Sequence, residues 1–110
     1  MDYNAVRENY LCTRKAIEDA YEKAVAPAWL AYKEADEAYR NIAAPLKAAY
    51  AQANDSKARK EAKKAYDKLV TPYKEDRDAK WVAYNEAVKA PSEARDKALM
   101  EAKMAYEANM

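Results

Sequence analysis

The side chains best equipped for chemistry in this sequence are phenols. Ten tyrosines and two tryptophans stand in a chain of 110 residues that has no histidine, glycine or phenylalanine. A tyrosine joins a large apolar ring to a hydroxyl tip, which suits a shallow contact whose edge stays wet. The spacing is regular: Tyr10, Tyr21 and Tyr32 fall eleven residues apart, Tyr39 follows after seven and Tyr50 after eleven more. On a helix such steps return to one face. Two uses fit the rings. One is a narrow core of Tyr packed over Ala within the chain; the other is a surface shared with a second chain, where Tyr, Trp and Met are enriched. The candidate contact residues are Tyr10, Tyr21, Trp29, Leu30, Tyr32, Tyr39, Tyr50, Tyr66, Tyr73, Trp81, Tyr84 and Tyr106. Trp29 and Trp81, with Leu30 and Val82 beside them, lie partly off the main stripe and are the expected anchors. Met100, Met104 and Met110 make the C-terminal end adaptable in the same sense.

Catalytic chemistry finds little to work with. Without histidine the usual general base, proton shuttle and commonest metal ligand are missing. Without glycine there is no phosphate-cradling loop, and the only serines, Ser56 and Ser92, lie outside any nucleophile-elbow context. The expectation is a protein that is not an enzyme and uses no cofactor. The acidic clusters Glu34-Ala35-Asp36-Glu37 and Glu75-Asp76-Arg77-Asp78 lack the loop geometry of a calcium site and read as solvated helix faces. Lys57, Lys60, Lys64 and Lys68 share a helical face that can meet phosphates, yet equally serves solubility or pairs with the acidic first half. Residues 1–55 hold 7 basic and 9 acidic side chains, net −2, and residues 56–110 hold 13 and 10, net +3. The total of +1 argues against strong general attraction to nucleic acid or anionic membrane. Cys12 stands alone, so no internal disulfide forms; a small buried thiol in a reducing compartment is the expected reading.

What must position these residues is helix. Ala is the commonest residue, and Ala, Lys, Glu, Arg and Leu are strong helix formers. From Tyr3 an apolar stripe runs through Val6, Tyr10, Thr13, Ile17, Tyr21, Val25, Ala28, Tyr32, Ala35, Tyr39, Ile42, Leu46 and Tyr50 to Ala53, at the helical period. A weaker stripe, interrupted by Arg77 and Arg95, joins Ala62, Tyr66, Leu69, Tyr73, Trp81, Tyr84, Val88, Pro91, Ala98, Ala102 and Tyr106. Between them Asn54-Asp55-Ser56 is the only interior cluster of turn-forming polar residues, with Asp55 or Ser56 placed to cap the second helix.

Four prolines oppose long helices, since each removes a hydrogen bond and clashes with the preceding turn, at about 3 kcal/mol. The apolar phase nevertheless runs straight across Pro27 and Pro45, so these and Pro72 read as kinks within helices. Thr71-Pro72 and Ala90-Pro91-Ser92-Glu93 also resemble fresh helix starts, which leaves a three- or four-helix bundle with breaks at Pro72 and Pro91 as the alternative.

The chain repeats itself. Ala20-Tyr21 through Pro27 is echoed by Ala38-Tyr39 through Pro45, by Ala65-Tyr66 through Pro72 and, one residue longer, by Ala83-Tyr84 through Pro91. This Ala-Tyr-x-x-Ala-x-Ala-Pro-Ala pattern resembles the Ala/Tyr/Pro helical repeats of uncharacterised bacterial and bacteriophage proteins, closely over residues 20–50 and loosely over 65–91. The resemblance implies a bacterial or phage origin and no particular activity. The expected architecture is all-α: one domain over 1–110, with a first arm over about 2–53, a turn at 54–56 and a second arm over about 57–109. Proline-kinked arms form a long antiparallel hairpin that assembles into a bundle, with eleven-residue periodicity setting a nearly straight or slightly right-handed coil. The expected role is a spacer, scaffold or virion-type component that self-associates through its Tyr/Ala stripes. The alternatives are a monomeric adaptor or inhibitor of another protein, and a lipid- or nucleic-acid-surface binder acting through residues 57–68. The N-terminal residues lack a signal-peptide pattern and no apolar run is long enough to cross a bilayer, so the expected place is the cytoplasm or a phage particle.

Overall fold

The computed structural model describes residues 2–110. Two α-helices hold nearly all of them, α1 over Tyr3–Gln52 and α2 over Ser56–Ala108, and no strand occurs among the described residues. The fold is the all-α helical hairpin that the periodicity implied. Both helices begin on an aspartate. Asp2 Oδ1 accepts the backbone N–H of Asn4 at 3.0 Å and of Ala5 at 3.3 Å, and Asp55 Oδ1 accepts that of Ala58 at 2.7 Å. Each carboxylate satisfies donors that a helix start leaves without a partner. The reversal sits at residues 53–55, so Ser56 already belongs to α2 and Asp55 is its cap. Ala53 N–H donates to the Tyr50 carbonyl at 3.2 Å, and Arg59 Nε reaches back to the Ala53 carbonyl at 3.3 Å, tying the turn to the helix that follows.

α2 passes through Pro72 and Pro91 without a break, so the bundle of shorter helices does not form; α1 likewise passes through Pro27 and Pro45. The burial pattern gives the reason. Pro27, Pro45 and Pro72 are exposed, and the residue two before each, Val25, Ala43 and Val70, is buried. Two residues are roughly 200° of helical turn, so a proline on the solvent face has an inward-facing neighbour there. The carbonyl each proline cannot serve belongs to Lys23, Asn41 or Lys68, all exposed residues where water takes the missing donor's place. Pro91 differs: it is half-buried and its ring lines the helix seam beside Ala24 and Ala94.

The packing divides into two units, Ala28–Tyr84 and Met1–Pro27 with Asn85–Met110. The first contains the turn. Its buried residues are Ala35, Ala43 and Val70, and half-buried Tyr32, Tyr39, Tyr66 and Tyr84 surround them. In the second, Val25 is the buried residue, and Ala20, Ala24, Ala94 and Ala98 line a seam with Ile17 and Tyr21 that lets the two backbones approach. Within each unit the chain pairs antiparallel. Trp29 meets Tyr84 and Tyr32 meets Trp81 in the first; Tyr10 meets Tyr106 and Tyr21 meets Arg95 in the second.

Three sequence expectations change. Cys12 is exposed, because its position falls outside the inward sector marked by Tyr10, Ile17 and Tyr21. Thr13, Tyr3 and Tyr50, placed on the first stripe, are exposed as well; Thr13 Oγ1 instead donates to the Asn9 carbonyl at 2.9 Å. Arg77 and Arg95 do not interrupt the second stripe. Both are half-buried members of it, whereas Leu69, Tyr73 and Trp81, placed on that stripe, are exposed.

Candidate functional site

The aromatic side chains sort into three arrangements, each built from a helix-to-helix pair. In the unit formed by the two chain ends, the Tyr10 and Tyr106 rings stack with centroids 4.5 Å apart and planes 15° from parallel. The Arg14 guanidinium lies 5.7 Å from the Tyr10 centroid. A guanidinium placed over the negative face of a ring is attracted to it and stays better hydrated at its edge than a buried ion pair.

The second arrangement is tighter. Arg95 sits over Tyr21 with its guanidinium carbon 4.2 Å from the ring centroid, and in the other unit Arg77 sits over Tyr39 at 4.1 Å. The two tyrosines are eighteen residues apart on α1 and the two arginines are eighteen apart on α2. The Ala-Tyr repeat of the first helix is therefore answered by an arginine repeat on the second. Arg77 is also held sideways, with Nη1 3.8 Å from Asp36 Oδ1 and Nη2 3.3 Å from Asp78 Oδ1, while Arg40 Nε holds the other Asp36 oxygen at 3.0 Å. These contacts use the best-placed members of both acidic clusters. Among the described residues no group of three or more His, Cys, Asp or Glu is arranged to hold a metal ion.

Beside this seat the Tyr39 and Tyr66 hydroxyl oxygens lie 3.4 Å apart. The hydrogen bond with Tyr66 holds the Tyr39 phenol below the ordinary tyrosine value, burial opposing and Lys47, Arg77 and Lys74 assisting. The same bond, with burial, pushes Tyr66 up. Either hydroxyl can donate this bond.

The third arrangement is a quartet. Trp29 lies 5.7 Å from Tyr32 and 5.3 Å from Tyr84; Trp81 lies 5.0 Å from Tyr32 and 5.8 Å from Tyr84. The four centroids close a ring of contacts in which each tryptophan touches both tyrosines. At these separations the rings pack on one another and leave no room for a ligand between them. The quartet is nonetheless open on its outer side, with Trp29 41% and Trp81 45% exposed. Leu30 and Val82 next to them are 55% and 60% exposed.

The chain matches no protein-family model, no curated protein and no solved structure. The site has to be read from its own geometry. Of the twelve candidate contact residues, nine enter ring or cation–ring contacts or the phenol pair, while Leu30, Tyr50 and Tyr73 are exposed without such a partner among the described contacts. Tyr50 borders an open groove with Lys47, Lys63 and Tyr66. Lys57, Lys60, Lys64 and Lys68 are all exposed on the first turns of α2.

Two features of the site lie in pairings between segments rather than in single residues. The arginine seats were legible as interruptions of a stripe, and their eighteen-residue spacing, equal to that of Tyr21 and Tyr39, was the available signal. The quartet comes from one tetrapeptide used twice, Trp29-Leu30-Ala31-Tyr32 and Trp81-Val82-Ala83-Tyr84. Comparing the neighbourhoods of the two tryptophans finds it at once.

Proposed function

We propose that this chain is a non-enzymatic assembly component, a spacer or scaffold, that associates with further copies of itself by burying Tyr, Trp and Ala between helices. The observation that carries the proposal is how little the chain buries alone. Among the described residues the buried ones are Val25, Ala35, Ala43 and Val70, all small, and no large side chain is fully buried. Twelve large apolar side chains among the described residues stay exposed, Trp29, Leu30, Leu69, Tyr73, Trp81 and Val82 included. The accessible surface is 8441 Å². A compact monomer of 12.5 kDa exposes roughly 6,200 Å² by the usual scaling with mass. The difference, on the order of 2,000 Å² for one chain, is more than the roughly 800 Å² that each partner gives up in a specific protein–protein contact, so the exposed surface is ample for one.

The expected partner is a second copy of the chain. No helix among the described residues is long and apolar enough to cross a membrane, and the exposed lysines of α2 stand among Glu61 and Asp67, which blunts their field toward phosphate. Sedimentation equilibrium on the purified chain between about 1 and 300 µM tests the proposal. The expected result is a mass that rises to a multiple of 12.5 kDa, with helicity rising alongside it. A constant monomer mass with full helicity across that range refutes self-assembly and favours a monomeric adaptor for another protein.

A further inference from the structure

The Trp29/Trp81 quartet has internal symmetry that bears on how a second copy docks. α1 supplies Trp-Leu-Ala-Tyr and α2 supplies Trp-Val-Ala-Tyr, and the two run antiparallel, so that Trp29 faces Tyr84 as Trp81 faces Tyr32. An exchange of helices maps the cluster onto itself, with centroid distances of 5.3 and 5.0 Å for the two equivalent pairs. The patch is a local two-fold.

We propose that this repeated Trp-x-Ala-Tyr patch is the surface through which a second copy of the chain docks, in a two-fold, self-complementary contact. The inference rests on the self-association proposed above and names its surface. Three observations favour a second copy as the occupant. An isologous dimer brings the same patch of both partners together, and a patch already two-fold in itself presents matching features to its own copy. The patch also combines what contact centres contain: two tryptophans less than two-thirds buried by their own chain, bordered by Leu30 and Val82, which are more exposed still. Finally the charges permit it. Residues 24–32 carry no charge, and the α2 segment from Lys80 to Glu86 has a cation at its start, an anion at its end and none between. An antiparallel copy of that segment sets the cation of one chain toward the anion of the other.

Both tryptophans of the chain lie in the patch, so fluorescence reports on it without any substitution. Wild-type emission is expected to move to shorter wavelength as concentration rises, over the same range in which sedimentation shows the mass increase. The variants Leu30→Lys and Val82→Lys place an ammonium where the second chain would sit. Each is expected to weaken association roughly 30-fold or more, the effect of losing a contact centre, and the pair roughly 1,000-fold. Met104→Lys, at an exposed site in the other unit, is expected to leave association within about threefold of wild type. Circular dichroism above the association range checks that helicity persists in all four. If the wild type associates with no change in tryptophan emission, or if the double lysine variant associates as the wild type does, this surface is wrong while self-association stands. If the wild type never associates, both fall together. Should the double variant lose its helix, acrylamide quenching of the unsubstituted chain decides: at concentrations where helicity is already complete, further association is expected to lower the quenching of Trp29 and Trp81, and unchanged quenching refutes this surface.

Discussion

Arg77 over Tyr39 is where the register of the unit containing the turn is most sharply specified, and removing it has a calculable cost. The guanidinium carbon lies 4.1 Å from the ring centroid, and the arginine side chain is 25% exposed. A cation over an aromatic face contributes about 0.5–1 kcal/mol where solvent reaches it freely and about 2 where it does not. At a quarter exposed, about 1 kcal/mol is the appropriate figure. The ion pair to Asp36 at 3.8 Å is long, and Asp36 keeps Arg40 at 3.0 Å when Arg77 is gone. Its share is therefore a few tenths of a kcal/mol. Single substitutions also alter stem packing and the Tyr39–Tyr66 hydroxyl pair, so the ring contact is isolated by a double-mutant cycle of Arg77→Gln and Tyr39→Leu. Urea unfolding followed at 222 nm, at one fixed protein concentration, is expected to give a coupling energy of about 1 kcal/mol. The equivalent cycle for Arg95 and Tyr21, at 4.2 Å, is expected to agree with it within about 0.5 kcal/mol. A control cycle of Arg40→Gln with Tyr39→Leu measures an arginine that pairs with Asp36 but caps no ring, and its expected coupling is near zero. A coupling at Arg77 no larger than that of the control refutes the claim that the arginine repeat sets helix register.

Further tests address the ends, the phenols and the prolines. Asp55→Ala removes the carboxylate that accepts Ala58 N–H and is expected to cost about 1 kcal/mol in thermal or urea unfolding, with Asp55→Asn costing only a few tenths. Tyr66→Phe deletes the hydroxyl that lowers Tyr39. A residue-resolved NMR titration of 13C-labelled tyrosine is expected to show Tyr39 moving to higher pH, and an unchanged or lower midpoint contradicts the pairing. Pro72→Ala restores an N–H able to donate to the Lys68 carbonyl at an exposed position. It is expected to raise stability by about 1–3 kcal/mol, and a loss of stability shows that the proline shapes the helix in a way the packing requires.

The sequence disclosed the helices, the reversal and the continuity across prolines, because each depends on local or periodic signals. The phase of the first stripe carries across Pro27 and Pro45, and phase is a property of a helix that goes on. Asn54-Asp55-Ser56 is the one place where the local chemistry favours a turn, and Asp55 does cap α2. The partnerships were less legible. Arg77 and Arg95 broke a pattern defined by hydrophobicity, and a hydrophobicity pattern has no term for a cation that buries its stem and lays its head on a ring. For Cys12 residue type and helical phase disagree: cysteine is usually buried, yet this position, between Leu11 and Thr13, falls on the exposed side. The quartet is hidden for a different reason. The tyrosine ladder drew attention to steps along one helix, whereas the two Trp-x-Ala-Tyr segments matter through what faces what across the pair.

The prolines connect these observations to the proposed role. Four prolines inside helices, at about 3 kcal/mol each, oppose folding by an amount comparable to the whole stability of an ordinary domain. A core of Val25, Ala35, Ala43 and Val70 is too small to offset that. Placing Pro27, Pro45 and Pro72 on solvent-facing positions lowers the cost, since water takes over the freed carbonyls. It does not abolish the cost, because the clash with the preceding turn remains. The balance has to come from side chains that the single chain leaves half-buried, chiefly the tyrosines under their arginines and the tryptophan quartet. Each of those gains by a further chain laid against it, through removal of apolar area worth about 25 cal/mol per Å². Burying another 1,000 Å² of apolar surface per chain is worth on the order of 25 kcal/mol before the costs of association. Under the proposed self-association, stability and assembly are one equilibrium, and the melting temperature of this protein is expected to rise with its concentration. A melting temperature independent of concentration over two decades means that the half-buried aromatics already suffice, and the need for a partner disappears.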